Sequence, residues 1–115
     1  IYPHLTDLDH ERYFVILLSR SNKPIRAVMV SSGGASSTVV DSKMLFKKVF
    51  EYETASSIIL AHNHPSGNLV PSAQDKALTE KLVSAGKTLD IQVLDHLIIG
   101  HDNYFSFADE GIMPR

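Results

Sequence analysis

The sequence predicts a single α/β domain in which a mixed β-sheet carries packed helices. Short apolar runs bounded by turn residues alternate with segments of helical period, and the resulting order is β-β-α-β-α-β-β. The 115 residues suit one domain with a substantial core. Hydrophobic residues make up 43% and charged residues 21%, the balance of a globular rather than a disordered chain.

Residues 1–10 show no clear period and read as a lead-in. Residues 11–20 (ERYFVILLSR) hold a β-rich apolar run between charged ends, as a buried strand does. Ser21, Asn22, Lys23 and Pro24 form a turn cluster, after which 25–31 return as the second strand of a hairpin. Gly33 and Gly34 break that strand, and 36–40 (SSTVV) are expected to pair briefly. The period then changes: Leu45, Val49 and Tyr52, with Phe46 and Phe50 beside them, predict an amphipathic helix over 43–53. A central strand is expected at 57–61 and a loop at 62–71. A second helix should begin after Ser72, bury Leu78, Leu82 and Ala85, and end at Gly86. Residues 90–99 (DIQVLDHLII) read as another buried strand and 104–107 as a last short one.

Composition excludes several function classes. Without cysteine there are no disulfides, thiolate zinc sites, iron–sulfur clusters or thiol nucleophiles. A net charge of −2, with Lys47 and Lys48 as the one adjacent basic pair, gives duplex DNA no electrostatic footprint, so strong nucleic-acid binding is not expected. The longest apolar runs are too short to span a bilayer, no charged-then-apolar leader opens the sequence, and a cytoplasmic setting is expected. The chain starts at Ile1 rather than Met and is expected to be a piece of a longer protein.

The chemistry converges on AHNHPSGNLVPSAQD. A strand ending in His62-x-His64 turns both imidazoles to one side, because side chains alternate with period two. Two neutral imidazoles on one face are natural zinc ligands, and a carboxylate on the first turn of the next helix, Asp75, supplies a third. Ser72-x-x-Asp75 ahead of an apolar run is equally a helix capping-box pattern. Ser72 can cap the helix and still face the metal, whereas a carboxylate committed to zinc is expected to be poorly placed to reach back as a cap. Asp95 and His96 lie in an apolar strand and need buried partners. They read either as a satisfied structural pair or as groups orienting a metal ligand. Glu51 and Glu53 read as solvated helix charges, and His4, His10 and His101 as surface residues.

This string resembles the JAMM motif of the MPN+ metallopeptidases: His-x-His, seven residues (65–71 here), Ser, two residues, Asp. With HNHPSG, VLDHLII and YFSFADEG around it, the chain is similar to the RadC branch of that superfamily, historically labelled DNA repair proteins. The resemblance runs from about Tyr13 to Ile112. It implies a cytidine-deaminase-like α/β fold and a Zn2+-dependent hydrolase acting on a peptide or protein substrate. His62, His64 and Asp75 would be ligands, with Ser72 hydrogen-bonding the water or the oxyanion. The helix–hairpin–helix region that RadC proteins usually carry is missing from these residues. So is the upstream glutamate that serves JAMM peptidases as base. Its expected place, five residues before Gly33, is Val28, and no Asp or Glu occurs between Arg12 and Val40. A zinc-bearing scaffold that has lost the base is therefore an alternative, and a DNA-repair-associated module a further one. A zinc nucleoside deaminase needs Glu after the first ligand and a Cys pair, and neither is present. The HExxH pattern is absent as well.

Overall fold

A computed structural model describes residues 11–32 and 40–114. In chain order the elements are β1 (Arg12–Leu18), β2 (Pro24–Ser32), α1 (Ser42–Val49), β3 (Ser57–Asn63), α2 (Ala73–Leu89), β4 (Gln92–Ile99) and β5 (Tyr104–Ser106). They form one five-stranded sheet in the order β2-β1-β3-β4-β5. β1 is antiparallel to both β2 and β3, β3 and β4 are parallel, and β5 returns antiparallel to β4. The mixed sheet with helices packed on it agrees with the order expected from sequence. Of the expected pairing segment 36–40, residues 36–39 lie outside the described residues, as do Gly33 and Gly34, and Val40 belongs to no strand.

Both faces of β1 pack against apolar side chains, which explains its near-continuous apolar run. Tyr13, Val15 and Leu17 face one side and pack with Leu45, Phe46 and Val49 of α1, Leu82 of α2, and Ile58 and Leu60 of β3. Phe14 and Ile16 face the other side with Ala61, Leu97 and Ile99. The hairpin turn into β2 is closed by Asn22 N–H donating to the Ser19 carbonyl at 2.8 Å. Asn22 takes a left-handed φ of 62°, a conformation Asn tolerates better than most residues. β2 is an edge strand and starts at Pro24, a position where a missing N–H costs little.

α1 starts at the N-cap Asp41, whose carboxylate accepts from the N–H groups of Lys43 and Met44. It stops at Val49, earlier than the expected 53. Beyond it Glu51, Tyr52 and Ala55 donate to carbonyls three residues back, so the chain tightens into successive turns. Tyr52 still packs against the core, and its helical spacing from Val49 reflects that packing rather than a continued helix.

α2 runs three residues beyond Gly86. Leu82 is buried, while Leu78 and Ala85 are partly buried against the core. The left-handed terminating residue is Asp90, at φ 60°. Gly86 is instead a point of close approach, since a Cβ there would sit 2.3 Å from the Ile91 carbonyl oxygen. The same turn uses the Gly86 carbonyl as acceptor for Ile91 N–H at 2.8 Å. Because β3 runs into the loop that starts α2, the C-terminal end of β3 and the first turn of α2 come together at one end of the sheet. Gly86→Ala should lower stability by about 1–3 kcal/mol despite Ala's better helix propensity, read as a lower urea midpoint. An unchanged midpoint would show that the α2–β4 turn can shift to make room.

Candidate metal centre

His62 is the penultimate residue of β3 and has no exposed surface. It shares a strand face with Leu60 and so points to the helix side of the sheet. In the β1–β3 register Tyr13 lies opposite His62. The two rings stack with centroids 4.4 Å apart and planes inclined by 13°. His64 follows one period later, its ring centroid 4.8 Å from that of His62. Its Nδ1 lies 2.6 Å from the Asn68 carbonyl, which turns Nε2 towards His62 and Asp75.

Asp75 arrives on the first turn of α2 and is 2% exposed. Its Oδ1 lies 3.3 Å from His62 Nε2 and its Oδ2 3.3 Å from His64 Nε2. Glu11, just before β1, closes the group: its Oε2 is 3.9 Å from His62 Nε2 and 3.7 Å from His64 Nε2. One ligand atom each from Glu11, His62 and His64 fall within 4.8 Å of one another. The donor chemistry fits a divalent cation of the zinc type, with two imidazole nitrogens and carboxylates on one point. His62 Nε2 also fits, being buried and without a hydrogen-bond partner.

Asp75, expected to be poorly placed to cap if committed to a metal, does reach back as a cap. Asp75 Oδ2 accepts from Ser72 N–H at 2.8 Å and Ser72 Oγ accepts from Asp75 N–H at 3.0 Å, a complete capping box. Two carboxylate oxygens offer about four lone-pair sites, enough to cap and still face both imidazoles.

The charges around this point shift each neighbour. Burial alone would raise the Asp75 carboxyl, but the His62 and His64 imidazoles and Ser72 N–H outweigh it and hold the group well below the usual carboxylate range. Burial, with the Asp75 and Glu11 charges, pushes the Tyr13 phenol far up. It stays protonated and donates to Asp75 Oδ1 at 3.1 Å. The hydrogen bond to Asp75 raises His64 above the ordinary 6.5, partly opposed by burial. Burial, with the adjacent His62, lowers His96 to about 3, so it is neutral near physiological pH.

Of the residues singled out from sequence, the structure brings His62, His64 and Asp75 together, with Ser72 at the rim as N-cap of α2. His96 lies directly behind His62, its Nε2 2.8 Å from His62 Nδ1. Asp95 does not join them. Adjacent strand residues face opposite sides of a sheet, and the Asp95 carboxylate accepts from Ser106 Oγ at 2.5 Å and Ala108 N–H at 2.9 Å. It anchors the turn after β5, whose Phe107 stacks on His96 with centroids 4.6 Å apart. Val28, the expected place of a base, packs against the hydrophobic core. Glu51, Glu53 and His101 are exposed as expected, while His4 and His10 lie outside the described residues.

Sequence reasoning missed Glu11, Tyr13 and Thr79, whose Oγ1 lies 2.5 Å from His96 Nδ1. Glu11 stands one residue outside the stretch searched for a base. It shares strand parity with Tyr13, Val15 and Leu17, a usable signal, but only the Tyr13–His62 register shows that this parity leads to the site.

The profile of the RadC-like JAB domain family matches residues 1–112. A UPF0758 protein of Flavobacterium johnsoniae is 47% identical over 110 residues, covering 96% of this chain and 48% of the relative. One from Porphyromonas gingivalis is 48% identical over 114 residues, covering 98% and 50%. A third, from Symbiobacterium thermophilum, is 40% identical over 111 residues, covering 96% and 47%. The chain thus spans about half the length of the curated relatives it matches. With the mixed sheet and the histidine–carboxylate cluster at the end of β3, these matches show that the chain belongs to the RadC family and carries its JAB domain.

Proposed function

We propose that this domain is a zinc-dependent hydrolase of the JAMM type that cleaves a peptide or isopeptide bond. His62, His64 and Asp75 hold the metal, and Glu11 is the proton acceptor. The observation that carries this reading is the convergence of both imidazole Nε2 atoms with the Asp75 and Glu11 carboxylates. JAB domains usually bind zinc and are commonly hydrolytic, which supports it further. Asp75 suits a ligand because it is buried and held from two sides by Tyr13 and Ser72. Glu11 suits a proton carrier because it is farther from the imidazoles and its side chain is 29% exposed.

When bound, zinc supplies Lewis acidity, polarising a carbonyl and lowering the pKa of a water to about 7. Glu11 takes a proton from the attacking water and returns it to the leaving nitrogen as the C–N bond breaks. Ser72 Oγ accepts from Asp75 N–H, which leaves its own proton for the carbonyl oxygen as negative charge gathers there. Tyr13, kept as a phenol, steadies Asp75 without competing for protons. The alternative of a zinc scaffold drew on the lack of a base, and Glu11 supplies a candidate for that role.

Purified protein should carry about one zinc per chain, and His62→Ala, His64→Ala and Asp75→Ala should each lower the content measured by elemental analysis. Glu11→Gln should keep the zinc and lose about 10²–10⁴-fold in peptide hydrolysis. Loss of zinc in that variant would make Glu11 a ligand instead.

Zinc affinity should also depend on pH. A protonated imidazole cannot ligate, and metal-free His64 holds its proton more tightly than an ordinary histidine. Apparent affinity should therefore be full well above the raised value and fall as pH drops through it, starting above the ordinary 6.5. Chelator competition across this range reads the effect. A zinc content indifferent to pH from neutral down to about 4 would rule out histidine ligation.

A further inference from the structure

We propose that Thr79 and His96 are positioning residues that fix the tautomer of His62, placing its proton on Nδ1 and turning the bare Nε2 into the cluster. The metal role assigned to this tautomer rests on the reading of the cluster given above; the order of protons does not.

The argument starts at the α2 backbone. Thr79 Oγ1 lies 2.7 Å from the Asp75 carbonyl oxygen and 2.5 Å from His96 Nδ1. A hydroxyl has one proton to give. If it went to His96, Oγ1 and the carbonyl oxygen would meet lone pair to lone pair at 2.7 Å. The proton therefore lies between the two oxygens, and Oγ1 accepts from His96 Nδ1–H. Neutral His96 then has a bare Nε2, which is 2.8 Å from His62 Nδ1. His62 must donate there, and as a neutral imidazole it keeps no proton on Nε2. A carbonyl at one end, which can only accept, sets the direction of the whole series.

His62 Nε2 is buried and makes no hydrogen bond, although Asp75 Oδ1 is 3.3 Å away. With no proton on Nε2, its lone pair and the Asp75 carboxylate face one point, as two ligands of a single cation do. The series also begins at the backbone of Asp75 and ends at the ring of His62, so it ties the helix carrying one proposed ligand to the strand carrying another. Phe107 on the face of His96 and Tyr13 on the face of His62 restrain both rings from turning.

The test uses the chain with Thr79→Val, which removes the hydroxyl at nearly constant volume, and Thr79→Ser, which keeps it. Long-range 15N–1H NMR of the metal-free proteins reads the imidazole tautomers, and chelator competition reads zinc affinity. In the parent chain His62 and His96 should both carry their protons on Nδ1. Thr79→Val should convert His62 to a mixture of tautomers and weaken zinc binding by about 10–100-fold, with Thr79→Ser restoring both. Should Thr79→Val fail to fold, Thr79→Ala removes the same hydroxyl without crowding its place and should give the same two changes. An Nε2–H tautomer of His62 in the parent chain would overturn the proposal. So would an unchanged tautomer and zinc affinity in the folded variants that lack the hydroxyl. If the parent chain binds no zinc, the metal role falls with the reading it rests on. The tautomers, measured without metal, still decide the proton order.

Discussion

The ring of His62 is sealed from solvent, and much of this end of the molecule is arranged around the consequences. A buried imidazole costs free energy unless its nitrogens find partners. Here Nδ1 is satisfied by His96, one ring face is covered by the stacked Tyr13, and Nε2 is directed at carboxylates. Each contact comes from a different element: Tyr13 from β1, His96 from β4 and Asp75 from α2. Displacing any one would leave a buried polar group without its environment, so the register of the central strands and the docking of α2 are bound to this side chain.

Asp75 stands at the other side of the same constraint. Its carboxylate completes a capping box and receives the Tyr13 hydroxyl while facing both imidazoles. Fold and chemistry therefore draw on one group. The helix start is stabilised by the carboxylate that gives the site its charge, and the position of that charge is fixed by the backbone it caps. With Glu11 nearby, two carboxylates lean on two imidazoles, an arrangement that raises the proton affinity of His64 and favours a cation between them.

The loop that carries His64 is less regular but well braced. Gly67 N–H donates to the His64 carbonyl at 2.9 Å, and Asn68 Oδ1 accepts from Val70 N–H at 3.0 Å. Gly67 adopts φ 82°, which non-glycine residues rarely take, and packs closely on His101 of the β4–β5 turn. The loop is thus seated against the β4–β5 turn, and the Asn68 carbonyl holds the ring of its histidine.

Local chemistry made much of this legible from sequence. The alternation of His62 and His64 follows from strand geometry, Ser72-x-x-Asp75 announces a helix start, and short apolar runs between turn clusters mark the strands in their order. These signals depend on residues a few positions apart, where covalent geometry decides which side chains share a face. Period two could also have separated Asp95 from His96, which lie on opposite faces of β4. The remaining features depend on distant register. Glu11 and Tyr13 reach the site because β1 pairs with β3 so that Tyr13 meets His62, and Thr79 matters because α2 lies across β4 with its hydroxyl at His96. The helical spacing of Tyr52 and the presence of Gly86 pointed to the wrong helix ends, because packing against the core and the close approach of Ile91 set those positions. Which imidazoles and helix-start carboxylate could serve as ligands was determined by the sequence alone. Which further carboxylate stands beside them, and what holds each imidazole in place, was decided by side-chain contacts between elements far apart in the chain.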